Sequence, residues 1–506
     1  MKIMIDKTKR FWEDKPLTLI LFIAFVVRLI AVIFSKGFGM YDDHFVIIET
    51  AQDWVNGTNN WFNRGNEILR NIVYPGINYL WFYFSDHILG LTNPQFKMFI
   101  VRLFHALFSL LIVSLSYKIT LILSDKKNAR LVAIILALFW PLAFFSVRNL
   151  VEVVCIPPIL AGFYYILKNK ETKNISKYLF VAGLMAGLSM TIRYQMAIYI
   201  AGIWLVLLSQ KDWKALVWFA MGVLAITSVT MGIIEYFAWG VPFNSLYNFI
   251  SYNLANEYSY VTQPWYNYIL LILGIFIPPI SFFFVVGFAR SYKKYALLFW
   301  PTLMFLVSHS YFANKQERFI IPMLPFIIIL GTIGWNEYIK TSSFLSKKRK
   351  LIKYSWIWFW VINSILLMLF TFTYGKKNRV ESLYYLSKKD NINSIIWENN
   401  KGGLVVPPKF YLKKQIPIFM LPSSKSLEKL EIEIKNYKVD FPDYIVFLGV
   451  TEIEKRVKEF KTYFNKNLVL ETTINPSLID YILHKMNPRH NINQTSNIYR
   501  IRNLNE

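Results

Sequence analysis

The sequence predicts an α-helical integral membrane protein with about eleven transmembrane helices and a small α/β domain at its C-terminus. Of its 506 residues, 55% are hydrophobic and 18% are aromatic, and the mean hydropathy is +0.35. These values are too apolar for a soluble protein of this length. Long apolar runs recur as far as about residue 374, and the remaining tail is polar.

Eleven apolar runs are candidates for spanning a membrane, because a helix needs about 20 such residues to cross the hydrocarbon core. The predicted spans are 16–35, 98–123, 131–147, 150–167, 178–192, 195–209, 215–235, 265–289, 296–312, 319–339 and 354–374. Residues 178–209 could instead form one helix and a re-entrant piece. A twelfth stretch, 72–91, contains Asp86 and His87 and is predicted to lie at the membrane interface.

The positive charges predict the orientation of these spans. The formal net charge of +25 would fit a nucleic-acid binder, but Lys and Arg cluster in alternate short loops between apolar runs. The loop 235–264 contains neither residue. Because cytoplasmic loops carry the excess of Lys and Arg, the N-terminus is predicted to be cytoplasmic. The first outer loop, about 36–97, and the tail are then extracytoplasmic. The expected partner is the bilayer, with no nucleic acid.

The tail reads as a separate domain, which gives the predicted division 1–375 and 376–506. The strand-like runs NSIIW, GGLVVP, IPIFML, DYIVFLG and LVLETTI alternate in part with helical patterns such as SSKSLEKLEIEIKNY, a pattern typical of an α/β domain. At roughly 130 residues it can bury its own core. It contains no glycine-rich phosphate loop, metal-ligand cluster or nucleophile elbow, so the expectation is an accessory domain that shapes an acceptor site.

Several ionisable residues lie within predicted spans or at their outer ends. A charge at the centre of a membrane helix costs about 2.5–3.5 kcal/mol, so charges at membrane depth are often functional. For Arg28, Arg102 and Arg148, snorkelling or an interhelical ion pair is an equal alternative. Arg193 and the turn NKQERF (314–319) are stronger candidates, because their apolar surroundings offer little other reason for charge.

Two adjacent carboxylates, Asp42 and Asp43, follow the first span in the segment YDDHF. They would lie at the outer mouth of the protein, where an enzyme acting on a lipid-linked substrate would hold a general base. The alternative is a solvated helix cap, since Asp caps helices well and a helical pattern follows.

The polarity of this outer face favours transfer of a sugar from a lipid phosphate. Arg and Lys hold phosphate by charge-assisted bonds, and the acceptor hydroxyl needs one base. A single displacement with one base inverts the anomeric centre, whereas a hydrolase would need a second flanking carboxyl group. No Cys or His cluster for zinc and no serine triad is present, so neither a metal nor another cofactor is expected.

Four segments resemble the GT-C membrane glycosyltransferases of family 22, the dolichyl-phosphate-mannose mannosyltransferases and their bacterial relatives. The resemblance covers about residues 16–340. The matching positions are Tyr41, Asp42, Asp43, His44, Phe45 and Glu49; Arg193, Tyr194 and Gln195; Glu235, Gly240, Pro242, Asn253, Leu254, Pro264, Trp265 and Tyr266; and Asn314, Lys315, Gln316, Glu317, Arg318, Phe319 and Pro322.

The last segment is the most specific match and also departs from the family signature HKExRF. Asn314 stands at the position of the family His, and Gln316 at the position of its first Glu. An amide keeps a hydrogen bond but cannot take a proton. We therefore expect Gln316 to orient Lys315 and Arg318 through its carbonyl.

The resemblance implies a GT-C fold and a polyprenyl-phosphate sugar donor, with mannose as the expected sugar and a glycan or glycolipid as acceptor. The base would be Asp42 or Asp43, with Asp42 favoured, and Arg193, Lys315 and Arg318 would hold the donor phosphate. The supporting residues would be His44, Glu49, Gln195, Glu235, Gln316 and Glu317. High Lys, Ile and Asn content hints at a bacterial plasma membrane. Alternatives are a GT-C enzyme that modifies protein or lipid A, a transporter or flippase, and an inactive scaffold.

Overall fold

A computed structural model describes residues 12–58, 69–172, 175–399, 405–488 and 491–504. Its chain contacts divide into two compact units. The helical unit comprises residues up to Val32, 58–78 and 101–371, and the second unit comprises 33–57, 79–100 and 372–506. The sequence predicts a single boundary at 375/376. The contacts instead group parts of the first outer loop with the tail.

Within the described residues, six helical segments are long and apolar enough to cross a membrane, which agrees with a multi-pass membrane protein. They are Pro16–Phe34, Pro94–Leu123, Val151–Thr172, Trp213–Trp239, Glu317–Thr341 and Arg349–Thr371. A bent pair raises the number to seven. The predicted count of eleven is not confirmed, because the other predicted spans are shorter helices: Lys126–Leu138, Ile175–Ile192, Ala197–Ser209 and Ala296–Tyr311.

The predicted span 265–289 is broken. It forms two helices, Asn267–Ile275 and Ile280–Arg290, with a bend of 120° between them. Pro278 and Pro279 lie in the break and lack the N–H groups that would continue the helix. Tryptophan side chains satisfy two freed carbonyls: Trp140 Nε1 donates to Ile275 O at 3.3 Å, and Trp358 Nε1 donates to Pro278 O at 3.0 Å. This compensation allows irregular backbone among apolar helices.

Short helices fill the connections. They are Asp42–Glu49 and Phe84–Ile88, both with π-type hydrogen bonds, Thr50–Val55, Val73–Tyr83, Trp140–Phe145, Tyr194–Met196, Asn244–Ala255 and Ser343–Lys347. Three further short helices, Val151–Val154, Ile234–Trp239 and Glu317–Met323, are end segments of spans given above. The stretch 72–91 therefore contains an 11-residue helix, too short to span the hydrocarbon core.

Glycines let two helices of the helical unit approach closely. A Cβ added at Gly183 would lie 2.1 Å from Phe219 O, and one at Gly222 would lie 2.1 Å from Phe180 O. Only residues without a side chain fit at this crossing, which is the device that membrane helices use where no hydrophobic effect drives their association.

The tail forms the predicted α/β domain. Five strands, β1 (Ile395–Asn399), β2 (Ile418–Pro422), β3 (Tyr444–Leu448), β4 (Lys466–Ile474) and β5 (Ser496–Asn503), make one sheet in the order β2-β1-β3-β5-β4. β1 is parallel to β2 and β3, and β5 is antiparallel to β3 and β4. The helices of the tail are Lys377–Leu386, Leu427–Asn436, Ile453–Phe464 and Leu478–Met486.

The sequence missed β5 and overpredicted one strand. Residues 405–407 of the run GGLVVP have no strand structure, and the rest of that run lies outside the described residues. Residues 495–498, at the start of β5, are buried. The Asn and Arg residues beside them obscure the alternation of apolar and polar residues that would predict a strand.

The second unit also ties the end of the first helix to the start of the tail. Gly37 and Gly375 form a parallel bridge, and Gly375 N donates to Lys36 O at 2.9 Å. A Cβ at Gly37 would lie 1.9 Å from Gly375 O. The bridge therefore requires glycine at position 37, which also has a positive φ of 74°.

Candidate active site

The carboxylate pair lies at the start of the helix Asp42–Glu49, in the second unit. Asp43 is buried, and its two oxygens accept hydrogen bonds from Met40 N at 2.9 Å and Gly39 N at 3.3 Å. Asp42 is half-buried. These contacts of Asp43 hold the turn at 39–40, which precedes the helix, so they are not those of a helix cap. Asp42 is the more accessible of the two carboxylates.

His44 and Glu49 hold this helix against the tail segment Lys409–Tyr411. The His44 ring stacks on Tyr411 with centroids 5.4 Å apart and on Phe38 at 4.6 Å. Glu49 Oε1 accepts from Phe410 N at 3.3 Å and lies 3.6 Å from His44 Nε2. Both predicted supporting residues therefore fix the position of the helix that carries Asp42.

A buried ion pair that the sequence did not predict lies in the same unit. Lys97 Nζ pairs with Asp86, and it donates to Gln52 Oε1 at 3.0 Å. It also lies over the rings of Phe82 and Phe410, at 5.5 and 6.0 Å from their centroids. The sequence uses Asp86 only to predict that the stretch 72–91 lies at the membrane interface. Lys97 is not predicted as a partner, because it lies in the first turn of a long apolar helix.

The helical unit contains a buried group of two arginines around one glutamate, Arg193, Arg318 and Glu152, here called the arginine cluster. Arg193 Nη1 lies 3.7 Å from Glu152 Oε1, and Arg318 Nε lies 3.6 Å from the same oxygen. All three side chains are no more than 6% exposed. Arg193 has an extended backbone, with a φ of −145°, at the break between the helices Ile175–Ile192 and Tyr194–Met196.

Two glutamine side chains orient the arginines. Arg318 Nε donates to Gln316 Oε1 at 2.9 Å, and Arg193 Nε donates to Gln195 Oε1 at 3.3 Å. Arg193 Nη2 also donates to Phe319 O at 3.1 Å. The contact of Gln316 is the one that an orienting role toward Arg318 requires, with its amide oxygen in place of a family carboxylate.

Lys315 makes a different contact from the one expected. Its Nζ donates to the backbone carbonyl of Phe312, three residues earlier. Burial lowers the pKa of Lys315 from its ordinary value. Glu317 is exposed. Within the NKQERF turn, Arg318 is thus the cation that contacts Glu152 and belongs to the arginine cluster.

Glu235 holds the backbone of its own neighbourhood. Its carboxylate accepts from Ser245 N at 3.0 Å, from the Ser245 hydroxyl and from Asn71 Nδ2 at 2.6 Å. Ser245 lies in the first turn of the helix Asn244–Ala255, where a carboxylate satisfies free N–H groups and the helix dipole. Tyr194 also bonds the Ser245 hydroxyl, so Glu235 and Tyr194 together fix the start of this helix.

Two members of the site were missed or undervalued by the sequence. Glu152 is not among the predicted site residues, although a carboxylate within the apolar run LVEVVC is a signal that the sequence carries. Arg70 lies within electrostatic range of Arg193 and Tyr194. Its polar surroundings, NEILRN, gave no signal.

Three other buried arginines bind backbone carbonyls. Arg28 Nη1 donates to Ala137 O at 3.1 Å, near the C-terminal end of the helix Lys126–Leu138. Arg102 Nε donates to Val32 O at 2.9 Å, and Arg148 Nη1 to Phe144 O at 2.8 Å. These contacts are hydrogen bonds of buried side chains to the backbone, and so differ from the snorkelling or interhelical ion pair that the sequence offered as the alternative. Among the described residues, no group of three or more His, Cys, Asp or Glu side chains could hold a metal ion.

The chain belongs to the Alg9-like mannosyltransferase family, whose model matches residues 19–401. This match confirms the family resemblance seen in the sequence. Its fold is similar to that of the GT-C protein ArnT from Cupriavidus metallidurans bound to undecaprenyl phosphate, with a TM-score of 0.63 and 12% identity over 96% of this chain and 97% of that chain.

Two curated relatives give the same family. GPI alpha-1,2-mannosyltransferase 3 from Homo sapiens is 27% identical over 276 residues, which cover 52% of this chain and 48% of the relative. GPI mannosyltransferase 3 from Debaryomyces hansenii is 24% identical over 421 residues, covering 77% and 72%. The chain thus spans about half the length of the human relative.

Proposed function

We propose that this protein is an inverting glycosyltransferase that transfers mannose from a polyprenyl-phosphate donor to a glycan or glycolipid acceptor. Membership of a mannosyltransferase family supports the reaction class and the sugar. The observation that carries the proposal is the arginine cluster, in which two buried guanidinium groups share one carboxylate. Such a group suits a phosphate that gains negative charge as the sugar leaves.

The arginine cluster is suited to phosphate because its ion pairs are loose. The 3.6 and 3.7 Å separations from Glu152 exceed a charge-assisted hydrogen bond of about 2.7–2.9 Å. Within the described residues, Arg193 Nη1 and Glu152 Oε2 have no hydrogen-bond partner. A phosphate oxygen could accept a hydrogen bond from Arg193 Nη1, with Glu152 and the two glutamines keeping the guanidinium planes in place.

Asp42 is the proposed base. Its carboxylate takes the proton of an acceptor hydroxyl as that oxygen attacks the anomeric carbon. The bond from that carbon to the phosphate oxygen breaks in the same displacement, and both bonding electrons leave with the phosphate. The new bond forms on the opposite face of the sugar, so the configuration inverts. No residue needs to protonate the leaving group, and no metal is required by this scheme.

The donor and the compartment are proposed from the fold, the loop charges and the composition. A polyprenyl-phosphate carrier fits the fold shared with ArnT, which was solved with undecaprenyl phosphate. The loop charges favour a cytoplasmic N-terminus and an extracytoplasmic tail and site. A bacterial plasma membrane is suggested by composition alone, and the relatives described above are from eukaryotes.

The test is transfer by the purified full-length protein, supplied with polyprenyl-phosphate mannose and a membrane extract and followed by mass analysis of the products. Asp42→Asn should lower transfer by about 10²–10⁴-fold, because the amide keeps the shape but cannot accept a proton. The matched control is Asp53→Asn, which removes a carboxylate from the next helix, Thr50–Val55, and should keep full activity.

Each other outcome has a definite meaning. A mannosylated protein or lipid A would replace the proposed acceptor class. No product with any extract would indicate an inactive scaffold, and donor movement across vesicles without transfer would indicate a flippase. Equal activity of Asp42→Asn and wild type would remove Asp42 as the base.

A further inference from the structure

The tail domain has a polar crevice at the carboxyl ends of its parallel strands. Asn399, the last residue of β1, pairs in register with Leu448, the last residue of β3, and both line the crevice. Its polar lining comprises Asn378, Arg379, Asn399, Thr451, Asn493 and Gln494. The enclosed volume is about 10 Å³, space for a single water-sized group. It can therefore take the edge of a ligand rather than a whole ring.

The strand order explains why a crevice opens at this point. β1 is followed by β2 on one side, and the chain then crosses back through the helix Leu427–Asn436 to place β3 on the other side of β1. Chain connections leave β1 and β3 in opposite directions, which makes this pair a topological switch point. Open α/β sheets bind ligands in the crevice beyond the strand ends at such a point.

Two buried polar atoms of the crevice lack a partner in the part of the chain that the structure describes. Asn378 is 2% exposed, and its Nδ2 donates to Ser496 Oγ at 3.0 Å, but its Oδ1 has no hydrogen bond. Arg379 Nε has none either. Buried polar groups are nearly always satisfied, because leaving one unpaired destabilises the folded protein. One free acceptor and one free donor in the same crevice match a hydroxyl group, which both donates and accepts.

The floor of the crevice is rigid. Arg456 donates to three backbone carbonyls in it, those of Leu448, Gly449 and Thr451, at 3.0–3.1 Å. The same guanidinium is fixed by Glu398. A floor held in this way presents its polar groups in one geometry, which reduces the entropy lost on binding.

The chemistry of the lining points to a neutral polyol. Amide side chains and one arginine supply hydrogen-bond donors and acceptors, and none of the lining residues is a carboxylate. Burial lowers the pKa of Arg379 to about 10, so its guanidinium stays charged at neutral pH. We propose that this crevice binds hydroxyl groups of a sugar residue of the acceptor and so gives the tail domain a direct part in acceptor choice.

The proposal rests on the proposed function only in calling the ligand the acceptor. Its test is therefore a binding measurement that needs no transfer. Full-length protein carrying Asp42→Asn is titrated in detergent with methyl α-mannoside, methyl α-glucoside and methyl N-acetyl-α-glucosaminide, and binding is followed by saturation-transfer NMR. Inorganic phosphate is titrated in parallel as an anion probe.

The expected result is that at least one methyl glycoside binds and that Arg379→Gln weakens it by about tenfold, as loss of one hydrogen bond to a charged group would. Arg500→Gln, an exposed arginine of β5 outside the crevice, is the matched control and should bind normally. If Arg379→Gln lowers the amide protection of β1, Asn493→Ala decides instead, because that side chain is half-exposed.

Three results would overturn the proposal. The first is glycoside binding that neither Arg379→Gln nor Asn493→Ala changes, and the second is no glycoside binding at all. The third is binding of phosphate alone that Arg379→Gln abolishes, which would make the crevice an anion site. If the wild-type protein transfers no sugar in the catalytic test but the glycosides still bind, the proposed function is overturned and this binding site is not.

Discussion

Arg456 in the tail domain and the arginine cluster in the helical unit both place guanidinium groups beside a buried glutamate, but they bind it differently. Arg456 donates to Glu398 through both Nε and Nη2 and to three backbone carbonyls. In the arginine cluster, two arginines stand 3.6–3.7 Å from one oxygen of Glu152. The Arg456 guanidinium is saturated by the folded protein, whereas Arg193 keeps an N–H group, at Nη1, that no described residue accepts and that a ligand could bind.

The largest effect is expected where the saturated pair is broken. Arg456→Met would leave Glu398 buried without its cation and remove three bonds to carbonyls, which should destabilise the tail domain by about 3–5 kcal/mol. Hydrogen exchange of the β1 and β3 amides in the full-length protein measures this local stability. The double variant Arg456→Met with Glu398→Met should recover most of the loss. Unchanged exchange in the single variant would contradict the structural role.

A somewhat smaller effect, on activity rather than on folding, is expected in the arginine cluster. Arg318→Ala should lower kcat/KM for polyprenyl-phosphate mannose by about 10²–10³-fold, the cost of one donor to developing charge. Arg318→Lys should recover only part of this loss, because an ammonium cannot reach both Glu152 and Gln316. Amide protection of the helices should stay as in wild type. Unaltered donor use by Arg318→Ala would reduce this arginine to an anchor.

A weaker effect is expected for Lys315, and it depends on pH. Burial lowers the pKa of Lys315 below its ordinary 10.5, so the ammonium loses its proton at a lower pH than an exposed lysine does. If its charge helps to hold the donor phosphate, the KM for the donor should rise as the pH increases through that lowered pKa. Lys315→Arg, which stays charged, should flatten the profile. The same rise in both proteins would exclude Lys315 as its origin.

The smallest effect is expected for Gln316→Glu, which restores the family residue. The oxygen that accepts from Arg318 Nε at 2.9 Å remains an acceptor in the variant. An orienting role therefore predicts that the rate of transfer changes by no more than about threefold, the effect of one weak ion pair. Steady-state rates of Gln316→Glu are compared with those of wild type and of Gln195→Glu, which makes the same change beside Arg193. A gain of tenfold or more would show that the family carboxylate takes part in the chemistry.

The sequence predicted the parts of the fold that depend on local pattern. Apolar runs located a helix at every predicted span, and alternating segments located β1, β2, β3 and β4 in the tail. It failed where a local pattern was weak or misleading. The run 265–289 is apolar throughout, yet Pro278 and Pro279 break it, and the apolar residues of β5 are masked by the polar residues beside them.

The composition and order of residues by themselves determined the membrane class, the family and the chemical types in the candidate site. Only the tertiary structure decided which of these residues share a contact. Arg193 and Arg318 are 125 positions apart and meet at Glu152, while the equally prominent Arg28 binds the end of a helix. A buried charge looks the same in a sequence whatever satisfies it. Its role depends on whether its partners come from the protein alone or leave room for a ligand, and this is settled by packing.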